Sequence, residues 1–183
     1  MFKKTLLTGI IALTTLSGSS VFAAQENSIR FKGEVSAQTC NISINDSTST
    51  APVILMQTAK ISELSAAGNT STPTTFSMKL TGCTAGTTAK DIKIHFASTN
   101  VDNYGNLKNI ATSSPANNVA IQLLDPDDNA IDLKSGEAFA KAFSLNPGDT
   151  SGEAQYTARY IATDGAATAG KVEATVQYAV SYL

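Results

Sequence analysis

The sequence predicts an all-β protein folded as one antiparallel β-sandwich, and three observations predict it. Apolar residues recur at every second position in segment after segment, the mark of strands with one buried and one wet face. Gly, Pro, Asn and Asp cluster between those segments, where tight turns need them. No long 3.6-residue repeat occurs, and a chain rich in Thr, Ser, Ala, Asn and Gly, with no Trp and only 15% charged residues, suits short strands better than helices. At 183 residues the length fits a single domain.

In chain order, Lys3 and Lys4 precede the short apolar stretch "LLTGIIALTTL", and Val21 and Ala23 supply small residues before a cleavage point. Residues 1–23 therefore read as a secretory signal peptide, since about 11 apolar residues cannot span a ~30 Å hydrocarbon core. "SIRFKGEV" then sets Ile29, Phe31, Gly33 and Val35 on one face. "CNISI" follows with Ile42 and Ile44, and "TFSMKLTGC" with Phe76, Met78 and Leu80. "DIKIHFAS" carries Ile92, Ile94 and Phe96, "NVAIQLLD" carries Val119, Ile121 and Leu123, and "AQYTARYIA" carries Tyr156, Ala158 and Tyr160. The last strand is "GKVEATVQYAVSYL", with Val172, Ala174, Val176, Tyr178, Val180 and Tyr182 alternating. "DPDDNA" and "NPGD" are turns, and "TAKISELSAAG" has room for one helical turn.

Charge and residue types exclude several functions. A net charge of -2 without a basic stripe gives nucleic acid no electrostatic footing. The single histidine, His95, lies between Ile94 and Phe96, so the alternation turns it away from the core beside Lys93, a solvent-facing strand residue and not a catalytic base. Asp125, Asp127 and Asp128 lack the glycine and distal glutamate of a calcium loop and read as a turn. The acceptor triplets at Asn41, Asn45 and Asn69 matter only in a eukaryotic secretory route. No phosphate loop, catalytic carboxylate pair or nucleophile elbow is visible. The expectation is no enzyme, no cofactor, no metal and no small-molecule substrate. Cys40 and Cys83 are the two cysteines, and in an exported chain an even pair reads as a disulfide. It closes a loop of about 44 residues, which contributes about 4 kcal/mol by loop entropy.

The two ends carry the most information. Residues 24–36 form an arm with a well-patterned strand, and Gly33 falls on its apolar face, where a glycine leaves nothing to pack. Either this is a first sandwich strand with a bulge, or Gly33 meets a partner whose core comes very close. At the other end, an immunoglobulin-type sandwich has seven strands. If the terminal segment is the sixth, residues 37–183 form an incomplete immunoglobulin-like β-sandwich with an open groove and an unpaired edge. An arm and a groove that each lack what the other has can join copies head to tail, a contact that grows a fibre.

"FKGEV" followed by "TCNI", then "KLTGC", "LLDPDDNAI", Gly170 fourteen residues from the end and the penultimate Tyr182 together resemble the fimbrial subunits (pilins) of the bacterial chaperone–usher pathway, in particular type-1-like major pilins. The resemblance spans the whole chain after the signal peptide. It implies that Ile29, Phe31, Gly33 and Val35 are a donor strand that complements the neighbouring subunit, with Gly33 entering a pocket too narrow for a side chain. It implies a Cys40–Cys83 bridge between the first two of six strands. Gly170, Val172, Ala174, Val176, Tyr178, Val180, Tyr182 and Leu183 would be the edge that pairs first with a periplasmic chaperone and then with a neighbour. The terminal carboxylate of Leu183 would be held by the chaperone, and an outer-membrane usher would exchange chaperone for subunit. The implied destination is a cell-surface fimbrium supporting adhesion, with identical or related pilins as partners.

The same motifs occur in shaft, adaptor and tip subunits. The length leaves no separate lectin domain, and the small-residue-rich composition favours a shaft subunit over a minor adaptor. A self-contained secreted carbohydrate-binding sandwich is the alternative from another class. It predicts a complete monomeric fold, and it lacks the exposed aromatics a sugar site uses. An exported hydrolase would have to use His95.

Overall fold

The computed structural model describes residue 35, residues 40–135 and residues 138–182. Ile29, Phe31, Gly33, Leu183 and the predicted signal peptide lie outside the described residues, and Val35 is fully exposed. The strands are β1 (Asn41–Ile44), β2 (Thr74–Thr81), β3 (Lys90–Ala97), β4 (Leu107–Lys108), β5 (Val119–Leu124), β6 (Ala138–Leu145), β7 (Gly152–Ala162) and β8 (Gln177–Ser181). They form a five-stranded sheet ordered β1-β2-β7-β5-β4 and a three-stranded sheet ordered β6-β3-β8, with antiparallel pairing throughout both. Two short 3-10 turns, Ile61–Leu64 and Leu133–Ser135, are the helical content of the described residues. The first of them occupies the stretch expected to hold one helical turn.

The alternation does what a half-buried strand requires. In β2, Phe76, Met78 and Leu80 are buried, and in β3 so are Ile92, Ile94 and Phe96. These two inner faces meet around Tyr156 of β7, whose ring stacks on Phe76 with centroids 5.8 Å apart and meets Phe96 edge-on at 5.3 Å. In β5, Ala120 and Leu124 are buried together with Val119, Ile121 and Leu123, so this strand is covered on both faces. The Cys40–Cys83 disulfide, with Cα atoms 4.3 Å apart, ties the start of β1 to the residues just after β2.

Two strands lie beyond the six that the alternation predicts. The short β4 is one. The other is β6, whose buried residues are Ala138, Ala140 and Leu145 while Phe139 is 47% exposed. Its large side chain points outward, and a register shift opposite Ile92 and Lys93 breaks its period. Phe139 also changes the reading of His95. The imidazole is half-buried, its centroid 4.6 Å from the Phe139 ring, and Nε2 is buried without a hydrogen-bond partner. His95 is on the outer face, as the alternation requires, but Phe139 across the ladder covers it, so it is not solvent-facing.

The predicted turns are built by their own side chains. Oδ1 of Asp125 accepts from the Asp127 N–H at 2.9 Å and the Asn129 N–H at 2.8 Å, which commits that oxygen to closing the turn. In "NPGD" the Asp149 carboxylate accepts from the Asn146 N–H at 2.8 Å, and Gly148 takes a φ of 90°.

Candidate functional site: an apolar cleft between two unpaired backbones

Among the described residues the core is open along one side. Two extended stretches of chain border the opening, the C-terminal run from Gly170 to Tyr178 and the run from Thr50 to Ile61. Two adjoining chambers lie between them. One, of about 550 Å³, is lined by Ala59, Leu64, Val119, Tyr160, Gly170 and Val172 among others. The second, of about 510 Å³, is lined by Ile54, Met56, Phe76, Ile121, Ala174 and Val176 among others. The first chamber's C-terminal wall ends at Glu173 and the second's begins at Ala174. The floor is therefore the sandwich core itself.

Among the described residues the C-terminal bank is anchored on its outer side only. The Lys171 N–H donates to the Ser114 carbonyl at 2.8 Å, and the Lys171 carbonyl accepts from the Ala116 N–H at 2.9 Å. The Glu173 N–H donates to Asn109 Oδ1 at 3.0 Å, and its carbonyl accepts from the Ile110 N–H at 2.8 Å. Ser98 Oγ donates to the Thr175 carbonyl at 2.9 Å. In an extended chain successive residues turn their polar backbone groups to opposite sides. Those of Val172, Ala174 and Val176 therefore face the cleft, where they make no hydrogen bond with a described residue. A row of unpaired N–H and C=O groups beside an apolar floor is a strand-shaped vacancy in the ladder.

Most of the predicted edge is here. Val172, Ala174, Val176, Tyr178, Val180 and Tyr182 are half-buried and packed on the core. The regular strand is shorter than expected, however. It covers Gln177–Ser181 against β3, because β3 ends at Ala97 and the residues before Gln177 meet Ser98 and the segment from Asn109 to Ala116 instead. Gly170 has a reason of its own. A Cβ there would collide with the backbone of Pro115 and Ala116, across the parallel bridge of Pro115 and Lys171.

The opposite bank is a feature the sequence reading missed. In "PVILM", Pro52, Ile54 and Met56 are half-buried while Val53 and Leu55 are 87% and 89% exposed. The run alternates in space, but both of its faces are apolar, so polarity does not reveal the period. A buried phenol completes the setting. Burial, with the Asp125 carboxylate as a lesser cause, holds the Tyr156 hydroxyl well above its ordinary value, and burial raises Tyr160.

Among the described residues no group of His, Cys, Asp and Glu could hold a metal; the cleft combines an apolar floor with unpaired backbone, and the exposed Lys60, Lys171 and Glu173 are among its lining. Unpaired strand backbone beside an apolar floor is an arrangement able to accept an added strand.

Residues 29–183 match the family model described as fimbrial protein. The chain is 34% identical to the F17 fimbrial protein of Escherichia coli, covering 94% of this chain and 96% of that one. It is 34% identical to the major fimbrial subunit SMF-1 of Stenotrophomonas maltophilia, covering 87% and 94%. It is also 34% identical to the minor fimbrial subunit HifD of Haemophilus influenzae, covering 87% and 75%. Among solved structures, a Burkholderia pseudomallei antigen and type I fimbria protein superposes with a TM-score of 0.56 at 23% identity, over 79% of this chain and 99% of that one, a likeness of fold.

Proposed function

The chain belongs to the fimbrial protein family, and from that premise we propose that it is a shaft-building subunit that polymerises head to tail by donor-strand exchange. As a fimbrial subunit it is a structural protein, not an enzyme, and it is exported to the cell surface, where pilin subunits are its partners. The observation that carries the proposal is the open cleft, with unpaired backbone at Val172, Ala174 and Val176 beside an apolar floor.

On this reading the occupant is the segment from Ile29 to Val35 of the next copy. A seventh strand in an antiparallel sandwich runs against the sixth. Val35 then enters the chamber beside Gly170, and Phe31 and Ile29 enter the chamber beside Ala174 and Val176. Gly33 falls opposite Val172, near the junction of the two chambers. Burying Ile29, Phe31 and Val35 at roughly 1.5–3 kcal/mol each contributes on the order of 5–9 kcal/mol per junction, comparable with a domain's whole stability. An exposed edge of this kind needs cover before assembly. A periplasmic chaperone would lend a strand to Gly170–Tyr182 and hold the Leu183 carboxylate, and an outer-membrane usher would exchange it for the next arm. Residues 1–23 would be the signal peptide, 24–36 the donor extension and 37–183 the pilin domain.

The small-residue-rich composition supports the shaft assignment, and the likeness to HifD keeps a minor-subunit role as the second reading. Counting subunits in purified fimbriae by quantitative mass spectrometry separates them, since a shaft subunit is the predominant chain. The exchange itself is tested by deleting residues 24–35. The truncated chain should still bind a chaperone but add no subunit to its own fibre. Unchanged polymerisation would refute the proposal.

A further inference from the structure

We propose that two charge pairs on the outer face of the groove, Lys32 with Glu173 and Glu34 with Lys171, set the register at which the incoming arm docks; this rests on the donor-strand reading above. The apolar floor restricts the register without choosing it. A slip of one residue would turn Ile29, Phe31 and Val35 to solvent, so only slips of two are open. Each such slip leaves alternating apolar residues over the same two chambers.

The charges distinguish these registers. By the alternation the outward residues of the arm are Arg30, Lys32 and Glu34, and those of the C-terminal bank are the exposed Lys171, Glu173, Thr175 and Gln177. With the strands antiparallel and Gly33 opposite Val172, Glu34 faces Lys171, Lys32 faces Glu173 and Arg30 faces Thr175. A two-residue slip toward the C-terminus sets Glu34 against Glu173 and leaves Lys171 without a charge partner. The opposite slip sets Lys32 against Lys171. Only one register therefore has two attractive pairs and no repulsive one.

Several features make these positions able to act. The backbones of Lys171 and Glu173 are each anchored at both N–H and C=O to the Asn109–Ala116 stretch, so the two side chains project from a fixed frame. Neither side chain joins an ion pair among the described residues. Lys60 lines the same chamber from the opposite bank, so lysines bracket the end that would receive Glu34. Because the Lys171 and Glu173 backbone groups turn away from the cleft, their cross-strand pairs with the arm are of the closely spaced, non-hydrogen-bonded kind.

The test uses the full-length chain assembled into fibres by cells. Cysteine pairs read the register: Lys32→Cys with Glu173→Cys, and as slipped controls Lys32→Cys with Thr175→Cys or with Lys171→Cys. After mild oxidation, the first pair should give a ladder of covalent oligomers on a non-reducing denaturing gel, several-fold stronger than either control. A second arm reverses charge. Lys32→Glu or Glu173→Lys alone should lower fibre yield by roughly two- to fivefold, the range expected for an exposed cross-strand pair. The double reversal should restore the yield, with subunit melting temperature unchanged in all three. A dominant ladder from either control pair would overturn the register while leaving strand donation intact. Fibres that form with no ladder from any pair would overturn both. Additive losses in the double reversal would overturn the charge pairing.

Discussion

Gly170 lies where the C-terminal run passes against the backbone of Pro115 and Ala116, and a methyl group there has no space. Backbone cannot rotate out of the way as a side chain can, so Gly170→Ala should cost roughly 1–3 kcal/mol, read as a lower midpoint in denaturant. Tyr156 makes the opposite prediction. Its hydroxyl is buried without a hydrogen-bond partner, so Tyr156→Phe removes an unsatisfied group and should leave stability unchanged or raise it by about 1 kcal/mol. A loss of more than 1 kcal/mol would contradict this. The same phenol sets a pH dependence. Its folded-state value is raised above the ordinary 10, so the unfolded chain releases the proton first. The stability it contributes is complete below about pH 10 and falls as pH rises beyond that. Alkaline titration of the melting temperature should show this fall, and Tyr156→Phe should reduce it.

At the scale of elements, legibility followed how cleanly polarity separates the two faces. β2 and β3 were readable because Lys79, Lys93 and Asp91 mark their wet faces while Met78, Ile92 and Ile94 mark the dry one. β6 was not, because alanines fill its inner face, Phe139 sits outside and a register shift breaks the alternation. The bank around Pro52–Met56 was hidden for a related reason, with Val53 and Leu55 as apolar as the residues facing in. The alternation of the C-terminal run was legible residue by residue, but not the division between Lys171–Val176 and β8, which depends on where β3 stops. The disulfide acts between elements. It ties β1 to the end of β2 across a separation of 43 residues, so replacing both cysteines by serine should cost about 4 kcal/mol. Chemical denaturation of the double variant measures this directly, and a cost below 1 kcal/mol would mean the loop is already constrained without the bridge.

For the whole molecule, the proposed exchange pairs the patterned arm read from the sequence with the side of the core that the described residues leave uncovered. The pattern of Ile29, Phe31, Gly33 and Val35 was visible in the sequence. The cleft could be inferred only by counting strands, because an absent strand leaves no residues to read. Completing the fold within one chain tests the idea most directly. The protein from Ala24 onward would be compared with the same chain carrying a flexible linker and a second copy of "SIRFKGEV" at its C-terminus, by size-exclusion chromatography and thermal melting. The account predicts a monomer that melts at least about 10 °C higher, since on the order of 5–9 kcal/mol shifts a domain of this size by roughly that much or more. Two monomers melting at the same temperature would mean that the cleft needs no strand, and would contradict it.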